Sequence, residues 1–130
     1  MNRRLLLVLI AAVSLAPAGF AHGPKGSKPA GANGGQIADV DGGHLELVVT
    51  PVELRLYVTD LSDAPLPSAD LSARAIILDG SRQLTVPLAP RTPNLLVGTL
   101  AAPLGADAKI AVSTTLARDG KPVQARFVVK

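Results

Sequence analysis

Two histidines, His22 and His44, are the side chains of this 130-residue chain best suited to hold a metal ion. If the chain is cut after Ala21, His22 opens the processed protein and offers one ion two nitrogens, its free α-amine and its imidazole. Both groups shed protons around neutrality, and two such nitrogens suit the borderline ion Cu(II). A second imidazole would complete a three-nitrogen site, and only His44 can supply it. Glu46, two residues further along, and Asp119, in an Asp-Gly turn near the C-terminus, are the candidate oxygen ligands or orienting partners. One Met and no Cys argue against a soft Cu(I) site, which would want thioether or thiolate ligands.

Other chemistries find less material. The chain has no Cys and no Gly-x-Ser-x-Gly, its serines fall in the leader or in turns, and no enzyme is expected. Asp39, Asp41 and Asp119 fall at strand ends, where a carboxylate is by default a solvated turn residue. The segment Gly31-Ala-Asn-Gly-Gly35 lacks both the Lys-Ser/Thr of a phosphate loop and a following helix, so it reads as a turn entering the first strand.

The leader is what would make His22 a terminus. Met1 to Arg4 is a short basic stretch, and Leu5 to Leu15 is apolar except at Ser14. Eleven helical residues span about 16 Å, roughly half of a hydrocarbon core, which is too short to cross a membrane. Pro17 breaks the run, and Gly19-Phe20-Ala21 is the small-x-small pattern read by a signal peptidase. Residues 1–21 are therefore expected to be a cleaved signal peptide. No Cys follows to carry a lipid anchor and no second apolar run reaches spanning length, so a periplasmic or secreted soluble protein without a membrane span is expected.

Removing Arg3 and Arg4 from the 13 Lys and Arg leaves 11 against 10 Asp and Glu, a net charge of +1. The remaining cations are scattered, and aromatics make up 2% of the chain, so nucleic-acid binding is not expected. With 48% apolar residues a core can form, built of Leu, Val, Ile and Ala.

Residues 22–35 hold five Gly and two Pro and offer almost nothing to bury, so they read as a flexible arm. Residues 36–130 read as the folded domain, with apolar and polar residues alternating at period two. Leu45, Leu47 and Val49 share one strand face, and Leu54, Leu56 and Val58 share another. A hairpin about Thr50-Pro51 would set Leu47 against Leu54, Glu46 against Arg55 and His44 against Tyr57. Gly80-Ser81 reads as a type II′ turn that sets Ile77 against Leu84, Ala75 against Val86 and Asp79 against Arg82, with Pro87 marking an edge or strand end. Asn94 to Ala101 is a further strand, and a final hairpin about Asp119-Gly120 would pair Leu116 with Val123 and Val112 with Phe127. The whole is an all-β fold, an antiparallel β-sandwich of seven or eight short strands, immunoglobulin-like or a small Greek key. The stretch from Asp60 to Asp70 is expected to cross between the sheets, and a small Greek-key barrel is the competing architecture.

Two resemblances accompany these residues. Asn33-Gly-Gly-Gln-Ile-Ala-Asp-Val-Asp-Gly-Gly-His-Leu-Glu-Leu-Val48 is similar to the Gly-Gly-x-Val/Ile…His-x-Glu-Leu opening of small periplasmic domains found with heavy-metal efflux systems. That resemblance implies a place in metal homeostasis and efflux components as partners, and assigns no ligand. The mature N-terminal His with a terminal Asp-Gly-x-Pro-Val hairpin also resembles the CopC-like periplasmic copper-carrier family. There the N-terminal His and the Asp and His of an Asp-Gly-His turn hold Cu(II), which implies His22 and Asp119 here; Lys121 stands where the second His would be. The expected function is an exported, non-enzymatic binding or accessory protein in copper or heavy-metal homeostasis, with Cu(II) as its ligand. The alternative is a metal-free structural or protein-interaction module. The oligomeric state is left open.

Overall fold

The computed structural model describes residues 30–130; the expected leader, the first part of the arm and His22 lie outside them. Eight strands follow one another: β1 (Gln36–Val40), β2 (Gly43–Val49), β3 (Glu53–Asp60), β4 (Ala73–Asp79), β5 (Arg82–Arg91), β6 (Leu95–Thr99), β7 (Lys109–Thr114) and β8 (Val123–Val128). All pairings are antiparallel, in the spatial order β1-β2-β3-β6-β5-β4-β7-β8. The fold is the expected all-β sandwich, with its two layers joined through β5. That strand pairs with β4 over Arg82 to Leu88 and with β6 over Ala89 to Arg91. The two ends of the order, β1 and β8, come together, and the Gln36 amide donates to the Val128 carbonyl at 2.6 Å. The sandwich is thus nearly closed.

Period two decides which side chains go inside. In β3, Leu54, Leu56 and Val58 are fully buried while Glu53, Arg55 and Tyr57 between them are only partly covered. Leu45 and Leu47 of β2, Leu96 of β6, Ala75 and Ile77 of β4, Ile110 and Val112 of β7, and Phe127 of β8 fill the space between the layers. Each such Leu or Ile contributes about 1.5–3 kcal/mol by leaving water, so face parity is strongly enforced.

Register is enforced less strongly, and two hairpins depart from expectation. In β2–β3 Leu47 faces Leu56 and Val49 faces Leu54, so His44 lies opposite Thr59 and Glu46 opposite Tyr57. In β7–β8 Ile110 faces Phe127 and Val112 faces Ala125. Asp119-Gly120 is therefore not a two-residue turn but sits within a wider connection, in which Gly120 N–H donates to Ala117 O at 2.9 Å. Both displacements are of two residues. They keep every apolar side chain on the core face, so burial does not distinguish them from the expected pairing, and local turn chemistry decides. In β2–β3 the decision falls to Thr50, whose N–H and hydroxyl both donate to Glu53 O and close the loop over Pro51-Val52.

Where the turn itself is specific, the pairing is as expected: Ile77 faces Leu84, Ala75 faces Val86 and Asp79 faces Arg82 across Gly80-Ser81. Pro87 ends neither the strand nor the sheet. It falls where β5 is about to leave β4 for β6, a point at which a missing N–H costs no ladder bond. The corner also needs Gly98 in β6, because a Cβ there would come within 2.6 Å of Val86 Cγ1 and 2.8 Å of Pro87 O. Residues 61–72 cross from one layer to the other, as expected. They are anchored by the fully buried Ser68, whose hydroxyl donates to Arg91 O at 3.0 Å.

Candidate functional site

β1 and β2 are joined by Asp41-Gly42, with Gly42 at φ +89°, a conformation glycine adopts without strain. The two-residue connection sets Asp39 directly opposite His44. Both project from the outer face of the first layer, since Ala38 and Leu45 beside them are buried. His44 Nδ1 lies 2.8 Å from Asp39 Oδ1. A carboxylate only accepts, so Nδ1 carries the proton and donates. This fixes the ring's orientation and leaves Nε2 as its outward nitrogen.

Nε2 faces Asp63 Oδ1 at 3.6 Å. Asp63 comes from the connection after β3, where its own backbone takes the left-handed conformation at φ 65°. Asp60 builds that loop by accepting from the Ser62 and Ala64 N–H groups at 2.8 and 3.0 Å. The His44 ring is therefore held on one side by Asp39 and met on the other by Asp63. Its side chain is 24% exposed, so solvent reaches it. Ala30, Gly31 and Ile37 line the same cleft, whose volume is about 640 Å³.

Glu46 occupies a different role from the one expected of it. The residue is 8% exposed, and its carboxylate accepts from Asn33 N–H at 2.9 Å, Gly35 N–H at 2.8 Å and Asn33 Nδ2 at 3.1 Å. Both oxygens are thus engaged in closing the turn formed by residues 31–35, which Gly34 N–H and Gly35 O complete with Gly31. The end of the expected arm is consequently pinned to the sheet. Glu46 also has no ion pair with Arg55, which bonds instead to Glu53 two residues before it at 2.6 Å. That hydrogen bond, with the charge of Glu53 behind it, holds the Arg55 guanidinium above its usual range.

Asp119 is exposed in the β7–β8 connection. That connection meets the β1–β2 hairpin, where Leu116 lies over Gly42 and Gly43, yet no hydrogen bond or ion pair joins Asp119 to His44 among the described residues. Of the four expected ligands, then, His44 and Glu46 line one open cleft, Glu46 with its carboxylate engaged in a turn, Asp119 shares no hydrogen bond or ion pair with either among the described residues, and His22 lies outside them. Among these residues no three His, Asp or Glu converge on one point that could hold an ion. His44 and Asp63 make a pair. Two donors bound to one ion at about 2.0–2.2 Å each stand roughly 3–4 Å apart, so their 3.6 Å spacing fits a shared cation and leaves its other positions to be filled from elsewhere.

Asp39 and Asp63 are the residues that sequence reasoning missed. The Asp41-Gly42 dipeptide is itself a hairpin signal and would have paired Asp39 with His44. Nothing local announces Asp63, which reaches the site only because β3 lies beside β2.

No family model and no curated protein sequence matches the chain. Among solved structures, one described as a crystal structure of a Br derivative of BhCBM56 is 13% identical and gives a TM-score of 0.46. The match covers 74% of this chain and 99% of that one.

Proposed function

We propose that this protein is an exported binding module, without catalytic activity, that takes up a divalent transition metal, Cu(II) in first place, between its processed N-terminus and His44. One observation carries the reading: His44, its ring oriented by Asp39 through Nδ1, turns Nε2 towards the Asp63 carboxylate at 3.6 Å, a spacing that fits two ligands of one cation. His44 supplies one nitrogen, Asp63 an oxygen in place of Glu46 or Asp119, and Asp39 orients the ring. His22 would add its amine and imidazole.

The arm's exit favours this arrangement. Ala30 lines the His44 cleft, and the eight residues from 22 to 29 can extend to about 27 Å at most, so the arm is long enough to return His22 to His44. The resemblance to domains of heavy-metal efflux systems points the same way, towards metal handling in the periplasm with efflux components as partners.

Intact mass of the processed protein under native conditions, with and without Cu(II), tests the reading. The expected species begins at His22 and binds one Cu(II). His44→Ala weakens that binding by roughly tenfold or more, and Asp39→Asn by about tenfold, the usual effect of losing a group that orients a ligand. No bound copper, or copper held equally well by His44→Ala, rejects the site and favours a metal-free interaction module.

A further inference from the structure

The outer face of the second layer presents the opposite chemistry to the His44 face. The registers of β5, β4, β7 and β8 arrange its outward residues in three cross-strand rows: Gln83, Leu78, Lys109 and Val128; then Thr85, Ile76, Ala111 and Arg126; then Pro87, Arg74, Ser113 and Gln124. Each row carries one cation, and no row carries a carboxylate. Residues 30–130 hold nine Lys and Arg against ten Asp and Glu, so this is segregation of charge within a nearly neutral body. Neither Arg74, Lys109 nor Arg126 forms a salt bridge among the described residues. Between the cations runs an apolar patch in a shallow concavity, with Leu78 47% and Val128 44% exposed beside Ile76 and Ala111. An outward sheet face is ordinarily the polar one.

We propose that this face docks an acidic segment of a partner protein, with carboxylates placed on Lys109, Arg126 and Arg74 and apolar side chains between them on Leu78, Ile76 and Val128. Charge complementarity selects this occupant. The chain's own arm carries Lys25 and Lys28 and no carboxylate, so it is repelled. Two copies meeting face to face would oppose like charges. The alternating pattern of cation and apolar contact suits an extended acidic peptide, which turns every second side chain to the surface it lies on and can alternate carboxylate and apolar residues among those. This inference is independent of the metal reading.

Titration of the ¹⁵N-labelled processed protein with a capped peptide of Leu-Ser-Glu-Ser repeats (the Leu-Glu peptide), whose every second residue alternates Leu and Glu on one face, tests it, with the corresponding Leu-Ser-Lys-Ser peptide (the Leu-Lys peptide) and vesicles of anionic phospholipid as comparisons. The Leu-Glu peptide should give saturable shifts confined to β4, β7 and β8. These should weaken roughly tenfold in Lys109→Glu/Arg126→Glu, and again when NaCl rises from about 50 to about 500 mM, because exposed charges are screened over that range. Both substituted side chains are exposed, and unchanged amide dispersion in the double variant confirms that it folds. Absence of saturable shifts up to about 1 mM peptide, equal binding of the Leu-Lys peptide, or shifts with anionic vesicles alone overturns the proposal, the last by assigning the face to a membrane surface.

Discussion

A single glycine placed before His22 in the processed protein should raise the dissociation constant for Cu(II) by roughly two orders of magnitude or more, because it turns the amine into an amide that binds metal poorly near neutrality. The imidazole survives that change, as do His44, Asp39 and Asp63, so the loss would report the amine alone. His22→Ala does the reverse, keeping an amine and losing a ring, and should fall between the parent and the extended protein. Competition titration against a chelator of known affinity measures all three. If the extended protein binds as tightly as the parent, the copper is held without the terminus, and the arm has no part in the site.

Glu46→Ala should lower the unfolding free energy by about 2–4 kcal/mol, since it strips the acceptor from the Asn33 and Gly35 N–H groups, the latter buried. Glu46→Gln keeps one acceptor oxygen and should lose about half as much. Urea unfolding measures both, and faster amide exchange over residues 31–35 would localise the effect to the turn. Wild-type stability in Glu46→Ala would mean that the turn does not depend on the carboxylate. The comparison separates two roles open to an acidic residue beside a histidine. Glu46 holds the base of the arm against the sheet, whereas Asp63 faces the imidazole.

How far the molecule could be read in advance depended on the range of the forces involved. Alternation along β2, β3, β4 and β7 announces the faces, because burying leucines in pairs is worth several kcal/mol per strand, and the all-β sandwich follows from it. A displacement by two residues leaves that burial intact. The pairings of His44 with Tyr57 and of Leu116 with Val123 were therefore open to error wherever no specific turn stood between the strands, while Gly80-Ser81 fixed its own hairpin. Export and the N-terminal role of His22 concern residues beyond those described here. The environment of His44 was half legible. Asp39 follows from the Asp41-Gly42 hairpin, but Asp63 arrives from a loop whose position only the sheet order determines. The engagement of Glu46 by Asn33 likewise joins a Gly-rich stretch, which composition alone reads as unstructured, to a carboxylate 13 residues on.

The most direct test of a metal held between the mature terminus and His44 is paramagnetic broadening of the ¹⁵N–¹H spectrum of the processed protein on addition of one equivalent of Cu(II). Amides within about 10 Å of the ion lose their signals, so the pattern maps where it sits. The arrangement described here predicts that His44, Asp39, Thr59 and Asp63 disappear together with the first residues of the arm, while β7 and β8 remain sharp. Broadening confined to the arm, with His44 and its neighbours unaffected, would contradict it.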